Sequence, residues 1–282
     1  MTNGAIIFAQ NNTTVDYIKL AVYAADRIKT HLNIPVALVT DNIQWVSDNY
    51  PNQPFDKIIE IAPEIASQKK QFHDGTLASQ KLDWKNQSRS SVYDLTPWDR
   101  TLVIDSDYIL NSNVLAAAFL NNHDFQIYRN SFDLASWRTG TEFKRINQYS
   151  IPFYWATAFV FNKNNITECF FNLVAYIKTN WMYFRNLYSI EHAIFRNDFA
   201  FSIAIHIMNG KTNGEFAQEL PGTMTYSTDK DILIETKNTS MKFLVEKQNC
   251  PGEYTLAKTQ GLDVHVMNKL SLSRIIDGEH NV

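Results

Sequence analysis

The chain reads as a single α/β domain with a mostly parallel central sheet and a small antiparallel extension at its C-terminal end. Three observations predict this. Through the first half, short apolar runs alternate with segments whose apolar residues recur at helical spacing. One of those runs, Thr101-Leu102-Val103-Ile104, is a near-continuous buried strand that ends on two aspartates. The last part of the chain instead holds two apolar runs, 232–235 and 241–245, that read as antiparallel strands. No repeat, low-complexity tract or linker demands two independent domains, so residues 1–210 are read as the core and 211–282 as an extension of the same domain.

Residues 4–9 form a first apolar strand, and Gln10 to Thr14 make a polar loop with Thr13 or Thr14 available as N-cap. Val15, Ile18, Val22, Ala25 and Ile28 then predict a helix. Residues 35–40 give a second strand ending at Asp41, and residues 57–61 a third, with Pro51 and Pro54 keeping its approach from being helical. A helix is predicted over 76–94, ended by the turn Thr96-Pro97-Trp98-Asp99, before the strand at 101–104. Beyond Asp107 the expectations are a short helix over 114–120, strands over 125–129 and 155–161, and a helix over 167–180. A further helix over 188–199, a strand over 201–207 and a polar loop over 211–229 complete the reading.

The formal net charge of −3 excludes a global positive field toward nucleic acid or an anionic membrane. Local basic patches remain, such as Lys69-Lys70 or Arg138, Lys144 and Arg145. Cys169 and Cys250 are too few for a disulfide scaffold, lack zinc-site spacing and are expected as free thiols. The 18 Phe, 13 Tyr and 6 Trp are assigned mainly to packing. The N-terminus has no basic leader, and no stretch reaches the roughly 18 to 20 apolar residues of a membrane span. A cytoplasmic protein is therefore expected, in the host cytoplasm if phage-encoded.

Asp105-Ser106-Asp107 carries the chemistry. Burying either carboxylate alone is costly, whereas a divalent cation satisfies both, and carboxylate oxygens suit Mn²⁺ or Mg²⁺. Such a metal can bridge to a diphosphate and neutralise its charge as it leaves. Ligands of open α/β sheets also bind at the carboxyl ends of the strands. Two solvated turn aspartates are the plain alternative. The loop after the first strand has no Gly-x-Gly-x-x-Gly, which argues against a dinucleotide-binding enzyme.

The stretch from Arg89 through Thr96-Pro97 and the apolar strand to Asp105-Ser106-Asp107 resembles the family 8 glycosyltransferases, the retaining group that includes glycogenin and the bacterial lipopolysaccharide galactosyltransferases. The similarity extends more thinly over most of the chain. It implies a GT-A fold, a nucleoside diphosphate sugar as donor and Mn²⁺ or Mg²⁺ as cofactor. Phe8-Ala9-Gln10-Asn11-Asn12 resembles the family's nucleotide-binding loop, so Ala9, Gln10 and Asn11 are placed at the donor, with Asp41 and Ser106. Tyr17 either stacks on the base or is a half-buried helix residue.

Glu191-His192 stands where the family carries an acidic Asp-Gln pair, implying a role in holding sugar hydroxyls or stabilising an oxocarbenium-like state; a helix start with Ser189 as cap is the alternative. His265-Val266-Met267-Asn268-Lys269 resembles the family's His-x-x-Gly-x-Lys element without its glycine. It implies His265 as third metal ligand beside Asp105 and Asp107, and Lys269 on the diphosphate. Lys85 and Arg89, four apart on the predicted helix with Lys81 nearby, are read as meeting diphosphate or ribose. Trp155-Ala156-Thr157 falls in the strand where the family has an Asn-Ala-Gly type segment.

The expected reaction moves a hexosyl or pentosyl group to an acceptor hydroxyl with retention, Asp107, Arg89, Glu191 and His192 acting at the reacting centre. The acceptor stays open among a glycan, a small molecule and a hydroxymethylated base of phage DNA. A metal-dependent nucleotidyltransferase or phosphohydrolase, and a non-catalytic nucleotide-binding protein, are the competing classes. Oligomeric state is not legible.

Overall fold

The computed structural model describes residues 1–63, 68–85, 88–136, 138, 143–147, 150–192 and 194–279. Strands β1 (Asn3–Phe8), β2 (Val36–Thr40) and β3 (Lys57–Glu60) run parallel, joined by α1 (Tyr17–Leu32) and α2 (Ile43–Asn49). Ala5, Ile6 and Ile7 of β1 and Val36, Ala37, Leu38 and Val39 of β2 are fully buried, as a sheet covered on both faces requires. Helix α1 begins later than the threonines suggested. The Asp16 carboxylate accepts the Lys19 N–H as its N-cap, while Asn12 Oδ1 accepts from Thr14 and Val15 and folds the loop.

The expected helix over 76–94 is not formed. Strands β4 (Lys69–Asp74) and β5 (Ala78–Asp83) make an antiparallel hairpin there, turned at Gly75 with φ 70°. Only Phe72 and Leu82 of the hairpin are buried, so its period of two carries one apolar residue per strand. A 3₁₀ turn over Ser88–Ser91 and the short α3 (Val92–Leu95) lead into β6 (Arg100–Asp105), which lies parallel to β1 with Phe8 opposite Asp105. Lys85 and Arg89 therefore do not share a helical face.

Then follow β7 (Tyr108–Ile109), a 3₁₀ helix over Val114–Phe119, β8 (Phe125–Tyr128), β9 (Ser131–Asp133) and β10 (Trp155–Asn162). Strand β10 is antiparallel to both β6 and β8 and completes a six-stranded sheet in the order β3-β2-β1-β6-β10-β8. Helix α4 (Asn165–Thr179) starts with a reciprocal capping box between Asn164 and Thr167, followed by α5 (Trp181–Leu187) and α6 (Asn197–Met208). Residues 201–207, expected as a strand, lie in α6, and the stretch expected as a helix over 188–199 is largely non-helical. Phe199, Ala200, Phe201, Ile203, Ala204 and Ile205 are all buried, and a helix apolar on every side lacks the period that distinguishes it from a buried strand.

The remaining elements are β11 (Met224–Ser227), β12 (Ile232–Lys237), β13 (Ser240–Glu246), β14 (Tyr254–Gln260), β15 (Val264–Val266) and α7 (Lys269–Glu279). Strands β12 and β13, the two expected, form a three-stranded antiparallel sheet with β14, and β7-β15-β11-β9 forms a separate sheet in which β15, β11 and β9 run parallel and β7 antiparallel to β15. The aromatics are mostly packing, as Phe125–Phe170 at 4.5 Å and Phe159–Phe201 at 5.0 Å between ring centroids illustrate. Cys169 and Cys250 are free, and among the described residues no helix is long and apolar enough to cross a membrane.

Two buried contacts hold this frame and are testable. A Cβ at Gly4 would sit 2.2 Å from the Trp98 ring. Gly4→Ala is expected to destabilise by about 1–3 kcal/mol, measured as a lower denaturation midpoint at unchanged m-value. Asp263 Oδ1 accepts from the Asn111 and Ser112 N–H groups and the Ser112 hydroxyl, tying the approach to β15 to the exit of β7. Burial pushes its pKa up to about 6 despite those bonds. A raised carboxyl pKa makes the folded state bind the extra proton, so this group's contribution is fully present below the unfolded value and is lost as pH rises to about 6. Asp263→Asn is expected to flatten the stability profile between about pH 4 and 6, read from thermal midpoints of both proteins across that window.

Candidate active site

Asp105 ends β6 and Asp107 lies in the tight turn between β6 and β7. The register of β7 against β15 puts Tyr108 opposite His265, and the Val266 N–H donates to the Asp107 carbonyl at 2.8 Å. This short ladder carries His265 to the carboxylates. Ligand atoms of Asp105, Asp107 and His265 all lie within 4.8 Å of one another, with His265 Nε2 3.2 Å from Asp107 Oδ2. The Trp155 ring stands edge-on to the His265 ring at 6.0 Å and holds its plane. Lys269 opens α7 and places Nζ 2.5 Å from Asp107 Oδ2.

Arg89 pairs with Asp105 and donates from Nη1 to the Ala156 carbonyl, and Lys85 pairs with Asp41 at 2.9 Å. One cleft is lined by Phe8, Gln10, Tyr17, Lys85, Arg89, Ser106 and the Asp-Asp-His group together with Lys269. Two hard carboxylates and one imidazole that can converge on one point fit a divalent cation.

The charges are strongly perturbed. Burial raises the Asp105 carboxyl above its ordinary range, against the pull of Arg89. Burial acts the same way on Asp107, but the Lys269 ammonium and His265 outweigh it and hold that carboxyl far below the usual range. Burial would lower Lys269, yet the adjacent Asp107 keeps it well above the ordinary lysine value. Burial also pushes the Tyr17 phenol up, and among the described residues its buried hydroxyl has no hydrogen-bond partner.

Other expected residues are distributed unevenly. Gln10 reaches the cleft with a buried, unpartnered Nε2, whereas Ala9 is packed in the core and Asn11 Oδ1 accepts the Ile18 N–H inside α1. Glu191 and His192 do not join the cleft. Glu191 lines a separate, larger cleft of about 930 Å³ with Arg129, Arg145 and Lys211, and exposed His192 stacks on Phe199. That cleft has the greater volume but no convergent carboxylates, so the chemistry is placed in the narrower one.

Arg138 is occupied by Asp133 and Asp231, and Lys69 and Lys81 project from the hairpin to solvent. Of the expected basic pair Lys69-Lys70, Lys70 lines the site; sequence reasoning missed Trp84, Arg196, Asn197 and Asp198, which line it too. The Asp198 carboxylate accepts the Ala156 N–H at 3.0 Å and pairs with Arg196 at 2.9 Å. The available signal was Asn197-Asp198 immediately before the apolar run 199–205, a helix start that the reading placed too early.

No family model matches the chain, and no curated protein sequence matches it. Among solved structures it is similar to the galactosyltransferase LgtC in complex with donor and acceptor sugar analogs, at 12% identity over 77% of this chain and 73% of that one, TM-score 0.49. It is also similar to the glycosyltransferase GlyE of Streptococcus pneumoniae TIGR4, at 14% identity over 78% of this chain and 45% of that one, TM-score 0.42. The bifunctional IspDF of Campylobacter jejuni aligns at 14% identity over 79% of this chain and 50% of that one, TM-score 0.41. The chain thus spans less than half the length of the pneumococcal protein. At such identities and TM-scores the functional argument rests on the site itself.

If the three side chains form one cation site, Asp107→Asn and His265→Ala should each weaken Mn²⁺ binding by roughly tenfold or more. Electron paramagnetic resonance of free Mn²⁺ during titration measures this, and unchanged affinity in both variants would exclude the site.

Proposed function

We propose that the protein is a metal-dependent glycosyltransferase that takes a sugar from a nucleoside diphosphate sugar and places it on an acceptor hydroxyl with retention of configuration. The observation that carries this reading is the meeting of Asp105, Asp107 and His265 with two phosphate-competent cations, Arg89 and Lys269, at the carboxyl end of β6. Resemblance of the Arg89–Asp107 stretch and of the His265–Lys269 element to family 8 supports the same assignment.

A divalent cation bound by the two aspartates and the histidine supplies charge neutralisation for the diphosphate. Arg89 offers a planar fork for phosphate oxygens, and Lys269 a point charge on the other side of the aspartates. Gln10 and Tyr17 present unpartnered polar atoms at the nucleotide side of the cleft. Asp198 takes the part first expected of Glu191, holding sugar hydroxyls or stabilising positive charge at the anomeric carbon. Its carboxylate is oriented by the Ala156 N–H and Arg196.

The test is donor hydrolysis. Incubation with Mn²⁺ and a panel of nucleoside diphosphate sugars should release free sugar slowly from one donor, without cleavage between the phosphates. Asp105→Asn should lower that rate by roughly a hundredfold or more, and Asp198→Asn by about tenfold or more at unchanged thermal midpoint. Cleavage that frees nucleoside monophosphate instead would identify a phosphohydrolase, and the absence of sugar release from every donor would reject the reading.

A further inference from the structure

Five cationic side chains line the cleft, and four of them already hold a carboxylate: Lys85 with Asp41, Arg89 with Asp105, Arg196 with Asp198 and Lys269 with Asp107. Lys70 is the exception. Among the described residues its ammonium has no hydrogen bond and no ion pair, and it is half-buried on the hairpin face that also carries buried Phe72. Its Nζ lies 5.1 Å from the Trp84 ring centroid and 6.0 Å from that of Phe72, so two aromatic faces position the charge. A lysine usually extends its head to water; Lys70 instead lines the cleft with its head beside the Trp84 and Phe72 rings.

The hairpin that carries it is anchored. Arg274 of α7 grips both Asp74 oxygens at 2.6 and 2.8 Å, and the Tyr254 hydroxyl accepts the Thr76 N–H at 2.9 Å. The ammonium is thus preorganised over the cleft rather than swung in from solvent. Burial, together with the nearby positive charges of Lys269 and Arg196, outweighs the pull of Asp229 and Asp107 and lowers its pKa to about 8.

Resting on the glycosyltransferase reading, we infer that Lys70 is a diphosphate-binding residue: its ammonium pairs with the terminal phosphate of the nucleoside diphosphate, from the hairpin side of the cleft. Nothing in the sequence motif marks it, because it lies on an element outside that motif. A diphosphate brings negative charge, and of the five cations Lys70 is the one with no ion pair among the described residues to compete for it.

The experiment is isothermal titration of UDP, GDP, CDP and ADP, and of the matching monophosphates, into wild type, Lys70→Met and Lys70→Arg with Mn²⁺ present. Affinity for the preferred diphosphate should fall by about tenfold to a hundredfold in Lys70→Met and by less than about threefold in Lys70→Arg. Affinity for the monophosphate should change by less than about threefold in both. Equal affinity of wild type and Lys70→Met for the diphosphate would overturn the inference alone, as would an equal loss on mono- and diphosphate, which marks a structural role. Failure of wild type to bind any diphosphate would overturn the glycosyltransferase reading and this inference with it. Thermal midpoints accompany each variant, and should Lys70→Met not fold, Lys70→Gln replaces it in the same comparison.

Discussion

The two-residue pairing of β7 with β15 is the constraint on which the site depends. It brings His265 beside Asp107 across 158 residues of chain, and the Val266 N–H to the Asp107 carbonyl fixes the turn that holds both aspartates. Closing so long a loop costs only slightly more than closing a shorter one, because the entropy grows with the logarithm of length. Two backbone residues suffice because Asp263 clamps the same junction, and because Arg27 reaches across from α1 to the Leu110 carbonyl at 2.8 Å. Lys269 follows directly from β15 into α7, so the cation on Asp107 depends on the same ladder.

The start of β10 has a matching role on the other wall. The peptide at Ala156 gives its N–H to Asp198 and its carbonyl to Arg89. One backbone unit thereby sets the position of a carboxylate from α6 and of a cation from the segment before α3. Its neighbour Trp155 meanwhile packs on His265. Residues far apart in sequence share a few rigid backbone anchors, the condition for a site held to fractions of an ångström.

The parallel strands and α1 were legible because each is a dense apolar run or a clean helical repeat. Asp105, Asp107, His265, Lys269 and Arg89 were legible through residue types at fixed positions, even though Arg89 reaches the cleft from a 3₁₀ turn and not from the expected helix. The β4–β5 hairpin was hidden by having a single buried apolar residue on each strand. Helix α6 was hidden for the opposite reason, since residues 199–205 are buried on every side. Residues 188–199 read as a helix and 201–207 as a strand, so the helix start at Asn197 and the acidic Asp198 beside it were not picked out. Lys70 was legible only as half of the basic pair Lys69-Lys70, because its place in the cleft is made by Trp84, Phe72 and the tie of the hairpin to α7.

Four salt bridges across the cleft have one more consequence. Like charges crowded at strand ends repel and loosen a fold, but here Asp41, Asp105, Asp107 and Asp198 each already have a cation, and among the cleft cations Lys70 alone has no ion pair among the described residues. At those four pairs a ligand would exchange partners, whereas Lys70 has none to give up. On the proposed reading, a metal held by Asp105 and Asp107 would free Arg89 and Lys269, and a diphosphate held by those two cations would free the aspartates. Each arrival alone strands the other half of the pairs as uncompensated charge in a poorly hydrated cleft. On the proposed reading the cleft would therefore favour a metal and a diphosphate that arrive as one unit.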